Sequence, residues 1–532
     1  MTRTLFIGLD GCTFTVLDSL TSDLPGSGVV MPFLKRLMER GARAALRSTP
    51  NPLTPPAWVS IMTGRSPGNH GVYDFVRTEE RGGEVYFTLS DSRDVRVETI
   101  WSIASRQDRR IVSLNFPITA PPRPVNGSLV PGFVPWKHLR RNVTPTALFD
   151  RLKSIPGFDP KELAWDFEKE SQSVLELTPE ETENWVRYHL GREEQWFRIA
   201  EKLLTEDKPD LMAVMFDGTD KIQHQAWPFL DPALFDKDKS EWAQRMIGLC
   251  RRYFNELDGY IERLVTLAGP DTQVFFASDH GFAASTDVVR INTILHDLGH
   301  LEWHAPDASE SGKRRERSWF ANLDWKKTVA YCRTPSSNGI NIRVATRPGE
   351  PGVSPETYEP FREKLIRQLR DIRDEVTGER VFREILKRED VFAGPAMNEA
   401  PDLLLGLRDF GFVSIADARP AVAKRKVPVG THHPDGIFIA AGPGIRAGVK
   451  ADLRHVEDVA ATLLYSLDLP LPADFEGKAA ESFFSPEHLA AHPVRTGSPT
   501  LPVKDGEVQD GEIPDDEKEK IIKQLQMLGY ME

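Results

Sequence analysis

Residues 272–282, TQVFFASDHGF, decide the fold. A nearly continuous apolar run stops at Ala277, and Asp279, His280 and Gly281 follow at once. Such a run, short and rich in aromatic residues, reads as a strand buried on both faces, which is how strands of a parallel sheet covered by helices look. Four more runs share the pattern: Thr4 to Leu9, Arg110 to Asn115, Leu211 to Phe216 and Gly436 to Ala441. Between them the spacing predicts helices over Met31 to Arg40, Glu181 to Leu204, Glu241 to Leu267, Pro360 to Arg373 and Val456 to Leu467. The expected fold class is α/β, with a mainly parallel central sheet, helices on both faces and cap or loop insertions. In such sheets ligands bind beyond the carboxyl ends of the strands, so chemically loaded residues should sit where strands stop.

They do. Asp10 closes the first strand in FIGLDG. Asp220 and His224 follow another in VMFDGTDKIQH, four residues apart and so on one face of a helical turn. Asp279 and His280 end the third, and His432 and His433 precede a fourth in VGTHHPDGIFIAAG. One carboxylate at a strand end is usually a turn or cap residue, but four such ends in one chain exceed what capping asks. Oxygen and imidazole donors without thiolates suit zinc, manganese or iron in a catalytic site with open positions.

A fifth element is NPLTPPAWVSIMTGRSPGNHGVYDF, residues 51–75. Thr54, followed by two prolines and an apolar segment, stands at a predicted helix start. One reading makes Thr54 an N-cap. The other gives it chemistry: free N–H groups and the positive helix end hold phosphate, and a dication lowers the pKa of a hydroxyl otherwise too weak to attack.

In combination these motifs resemble the alkaline phosphatase superfamily, and within it the type I phosphodiesterase and nucleotide pyrophosphatase group. The likeness runs from Asp10 to about Gly444 and keeps the family's motif order. It implies two divalent ions, zinc before manganese or iron, one held by Asp220, His224 and His432 and the other by Asp10, Asp279 and His280 with the Thr54 oxygen. His432 is favoured over His433 because Gly430, Thr431 and Gly436 complete the family pattern around it, and His70 is expected to brace the nucleophile loop. The implied activity is cleavage of phosphate esters, phosphodiesters or nucleotide pyrophosphates, through a phosphothreonine. One position departs: Phe75 stands where nucleotide pyrophosphatases carry an asparagine that donates to a phosphate oxygen. Two alternatives therefore stay open, a phosphomonoesterase of the same fold and a non-catalytic binding protein on this scaffold. The sulfatase pattern is excluded, since no cysteine, serine or arginine follows its spacing around Thr54.

Bulk properties set the frame. The 532 residues accommodate a catalytic domain over 1–490, with cap or insert segments at about 116–200 and 300–400. Residues 491–532 read as a flexible acidic tail ending in a short helix near Ile521 to Leu528. Within the inserts, the Pro- and Gly-rich stretches Pro117 to Pro135 and Ala305 to Arg317 read as irregular loops, with Phe133, Trp136 and Lys137 as candidate lining residues. A net charge of -12 argues against general nucleic-acid binding and leaves a small-molecule phosphate ester or nucleotide as the expected partner. No apolar run approaches the roughly 18 residues of a membrane span. Cys12, Cys250 and Cys332 are too few and scattered for a disulfide framework, so a cytoplasmic setting is expected.

Overall fold

A computed structural model describes residues 3–503, apart from 25–27, 82–83, 164–176, 236, 238, 306–308 and 310–321. The helix expected near Ile521 to Leu528 and nearly all of the Ala305 to Arg317 stretch lie outside the described residues. All five expected strands form, as β1 (Thr4–Leu9), β3 (Ile111–Leu114), β5 (Leu211–Phe216), β6 (Gln273–Ala277) and β9 (Asp435–Ala441). Two strands that the sequence reading passed over join them, β2 (Ala42–Arg47) and β4 (Gly127–Val130). β4 corrects the reading of Pro117 to Pro135 as wholly irregular: four residues of that stretch pair in parallel with β3 at the sheet edge.

The order is β2, β9, β6, β1, β5, β3, β4, with the two-residue strands Val449–Lys450 and Arg454–His455 beside β2. Every pairing among β6, β1, β5, β3 and β4 is parallel, and only β9 runs against its neighbours. That reversal positions the site. Because β9 is antiparallel, residues just before it emerge at the same edge as residues just after β1, β5 and β6. An adjoining antiparallel ribbon of β7 (Gly281–Val289) and β8 (Val422–His433) continues from that edge, with His433 opposite Gly281.

Both sheet faces are buried. On one, Leu5, Ile7 and Leu9 pack with the helices α1 (Pro32–Glu39), α3 (Pro179–Asp207), α4 (Gly218–Leu230) and α5 (Glu241–Ala268). On the other, Phe6 stacks on Phe116, whose ring also meets Trp58 and Trp101, beneath α2 (Thr54–Thr63) and α7 (Glu457–Ser466). Alternate residues of one strand thus feed two cores, the consequence of its two-residue period. Local signals start the long helices: Thr178 and Glu181 form a capping box for α3, and the Ser240 hydroxyl caps α5. A smaller antiparallel sheet, with strands Ala330–Tyr331, Gly339–Ile342, Phe382–Lys387 and Leu403–Leu407, shares with the helix α6 (Tyr358–Arg370) a core of its own around Ile340, Leu365 and Leu403. All three cysteines are buried and none is in a disulfide. No helix among the described residues is long and apolar enough to cross a membrane.

Candidate active site

Six of the seven singled-out side chains converge directly at the carboxyl edge of the sheet. Oxygen or nitrogen atoms of Asp10, Asp279 and His280 lie within 4.8 Å of one another, as do those of Asp220, His280 and His432, so His280 is common to both groups. His224 joins the second group, with its Nε2 3.0 Å from His432 Nε2 and 3.5 Å from Asp220 Oδ1. The seventh, Thr54, brings its hydroxyl to 3.5 Å from His280 Nε2. Asp220 and His224 do share one face of α4, as their spacing predicts.

Backbone carbonyls aim the imidazoles. The Nδ1–H of His224 donates to Gly430 O (3.1 Å), that of His432 to Pro52 O (2.7 Å) and that of His280 to Gly281 O (3.1 Å). With each Nδ1 carrying the proton, all three Nε2 atoms turn lone pairs toward the centre. Two glycines permit this crowding. A Cβ on Gly430 would lie 2.1 Å from the Gln223 carbonyl, and one on Gly11, whose φ is +63°, would lie 2.5 Å from the Phe282 ring.

The carboxylates are left wanting a cation. Asp10 Oδ1, Asp220 Oδ1 and Asp279 Oδ2 are buried with no hydrogen-bond partner. The lone pairs of His224 and His432 face each other at 3.0 Å with no proton between them. Unsatisfied buried acceptors cost about 1–3 kcal/mol each, and more when charged. A donor set of carboxylate oxygens and imidazole nitrogens, all acceptors and none paired, fits divalent metal. Electrostatics agree. Burial pushes Asp279 up to about 7, and burial with the charges of Asp279 and Asp220 raises Asp10 well above the carboxylate range. Desolvation lowers His280 and His432, which keeps them neutral donors.

Thr54 departs from the capping reading. Leu53 is the N-cap, Thr54 is the first helical residue, and no side chain caps α2. Pro55 and Pro56 remove two of the first-turn N–H groups, and Ala57 N–H is spent on Leu53 O. The first turn of α2 therefore offers few free N–H groups. His70 ties α2 to the following turn: its Nδ1 accepts from Val72 N–H at 3.1 Å, and its Nε2–H donates to Ser60 Oγ at 3.0 Å. His433 lies apart from the cluster, against the Phe410 ring. Phe75 is half-buried with its ring 6.2 Å from Phe133, over which Lys221 Nζ sits at 5.8 Å. Lys221 Nζ is 3.9 Å from Asp220 Oδ2, which brings a cation and an aromatic pair beside the cluster. Trp136 is exposed, with Lys161 over its ring, and Lys137 is exposed beside it.

Sequence reasoning missed a second buried polar cluster just behind the first. Arg192 grips Asp217 with Nε at 3.1 Å and Nη2 at 3.0 Å, and Asn115 Nδ2 donates to the same carboxylate at 3.2 Å. Glu193 Oε1 accepts from Gly218 N–H at 2.6 Å and Tyr253 OH at 2.8 Å. The signal was an Arg-Glu pair inside an amphipathic helix, indistinguishable in one sequence from surface charge.

The description of the type I phosphodiesterase / nucleotide pyrophosphatase family matches residues 4–435. The chain belongs to this family. Phosphoester hydrolysis is accordingly the chemistry of its kin. The fold of this phosphodiesterase-family protein is similar to that of murine ectonucleotide pyrophosphatase/phosphodiesterase 5, solved as an inactive variant in complex with AMP, at 13% identity and a TM-score of 0.50, covering 91% of this chain and 100% of that one. The human protein of the same name is similar at 12% identity and a TM-score of 0.50, covering 90% and 98%. Phosphonoacetate hydrolase from Sinorhizobium meliloti 1021, in complex with phosphonoformate, aligns at 17% identity and a TM-score of 0.48, covering 88% and 95%. No curated protein matches the chain.

Proposed function

We propose that this protein is a two-metal phosphohydrolase that cleaves phosphate esters, phosphodiesters or nucleotide pyrophosphates before monoesters, through a phosphothreonine at Thr54. The observation that carries the reading is the convergence of three orphaned carboxylate oxygens and three inward-facing Nε2 lone pairs beside one threonine hydroxyl. Asp220, His224 and His432 would hold one divalent ion, and Asp10, Asp279 and His280, with the Thr54 oxygen, the other. Zinc suits the donors best, and the pair supplies Lewis-acid neutralisation of the phosphoryl charge and of the entering and leaving oxygens.

The chain's own groups do the rest. Thr54 Oγ forms a bond to phosphorus as the bond to the leaving oxygen breaks, and the hydroxyl proton ends on the departing alcohol or phosphate. Water oxygen then bonds to phosphorus as the Oγ–P bond breaks, one water proton returns to Thr54, and the product is a phosphate monoester from a diester or inorganic phosphate from a monoester. Carbonyls of Pro52, Gly430 and Gly281 fix the imidazoles so that nothing reorganises during the reaction. His70 and Ser60 hold the turn after α2. Lys221, beside Asp220, offers a point charge to a phosphoryl oxygen where the family asparagine is replaced by Phe75.

The test combines elemental analysis with a turnover panel: a bis-aryl phosphate, an aryl monophosphate and a nucleotide diester. Two divalent ions per chain and fastest turnover of a diester are expected. Dominant monoester cleavage would move the protein to the phosphomonoesterase reading, and bound metal with no turnover of any ester would retire the enzyme.

A further inference from the structure

We propose that a second, non-catalytic site for a phosphate-type oxyanion lies in the cavity of about 680 Å³ between the smaller sheet and the catalytic body. Arg77, Arg333, Arg343 and Arg388 line it with the carboxylates Glu399 and Asp402, and Arg77 also pairs with Asp94 at 3.4 Å. In a chain with a net charge of -12, four guanidinium groups on one cavity wall are a concentration of donors suited to an anion. Neither Thr54 nor any of the six clustered ligands contributes to the wall.

The two carboxylates are already engaged. Asp402 accepts from Ile342 N–H at 2.6 Å and pairs with Arg388 at 3.1 Å, while Glu399 reaches away to Arg96 at 2.6 Å. Arg333 is the decisive residue. It is only 4% exposed, yet its Nε–H has no hydrogen-bond acceptor. Its charge neighbour Asp74 lies 3.9 Å off, and Asp74 is satisfied elsewhere, by Phe75 N–H at 2.6 Å and by the hydroxyls of Thr334 and Ser336 at 2.5 and 3.4 Å. A buried guanidinium with an unused donor, on the wall of a cavity holding three more, is suited to the forked hydrogen bonding of a tetrahedral oxyanion. The ligand class is phosphate or the phosphate group of a monoester.

Crystals of the full-length protein soaked in tungstate give the direct test. Anomalous density within hydrogen-bond distance of Arg333 is expected, whatever the catalytic cluster holds. Density confined to the catalytic carboxylates and imidazoles, or none, would overturn the site. Calorimetry then separates the sources. On a Thr54→Ala chain, inorganic phosphate and an alkyl phosphate are each titrated with and without Arg333→Met. Loss of a charge-assisted hydrogen bond should weaken one of them by about tenfold or more. Identical isotherms for both ligands in the two chains would count against the proposal, and if Arg333→Met fails to fold the wild-type soak decides.

Discussion

Asp217 and Asp220 leave the same strand three residues apart, and both are buried, yet their surroundings are opposites. Asp217 is closed off: Arg192 and Asn115 meet its oxygens, and although burial alone would raise its pKa, the guanidinium brings it below the usual value. Asp220 faces three imidazoles that offer lone pairs rather than protons, and its Oδ1 has no partner. A buried polar cluster that completes itself is structure. One that leaves only acceptors pointing inward is a receptor for a cation. The contrast separates two clusters that burial and charge alone would rank together.

The sharpest way to break this contrast is at Thr54. Thr54→Ala should lower turnover by about 10² to 10⁴-fold while bound metal, read by elemental analysis, stays as in the wild type. Near-normal turnover would mean that water attacks phosphorus directly and that the hydroxyl beside His280 is incidental. Chelation should abolish activity outright and lower the melting temperature, with both restored by zinc, because an ion that binds only the folded cluster stabilises it.

The two aspartate settings should also respond oppositely to neutralisation. Arg192→Met strands the Asp217 charge in the interior and should cost about 3–5 kcal/mol in urea denaturation, with metal content per folded molecule unchanged. Asp279→Asn removes one of three mutually repelling carboxylates. In metal-free protein it should leave stability equal or higher by about 1 kcal/mol, and it should lower occupancy of one ion. If Asp279→Asn destabilised the metal-free chain as much as Arg192→Met does, the acceptor cluster would be satisfied in a way its geometry does not suggest.

Much of this was legible in the sequence, and for physical reasons. Continuous apolar runs betray doubly buried strands, so β1, β3, β5, β6 and β9 could be read with their terminal Asp and His residues. β2 could not: ARAALR, residues 42–47, is built from good helix formers, and only its pairing between β9 and the short strand at Val449 makes it extended. β4 was hidden among prolines. The antiparallel course of β9, which brings His432 to the right edge, is a tertiary fact with no local signature. The same holds for the carbonyls of Pro52, Gly430 and Gly281, since every residue has one. Arg192 and Glu193 looked like solvated helix charge, and only the fold turns them inward.

An effect read as a slope against pH tests whether the closed cluster is as complete as it looks. Glu193 has one oxygen taken up by Gly218 N–H and Tyr253 OH, but its Oε2 has no partner. Burial, reinforced by the Asp217 charge, pushes its carboxyl up to about 8. A raised folded-state pKa means that the native protein holds this proton more tightly than the unfolded chain. The stabilisation is full below the ordinary glutamate value and fades as pH rises toward 8. To the fall of urea stability with pH across this window Glu193 should therefore contribute a limiting slope of about 1.4 kcal/mol per pH unit. Glu193→Gln, which mimics the protonated acid and keeps the acceptor for Gly218 and Tyr253, should remove that slope while leaving stability near pH 5 almost unchanged. An unaltered slope would place the titrating proton elsewhere and make Glu193 a charged member of a network that the Arg192 guanidinium already balances.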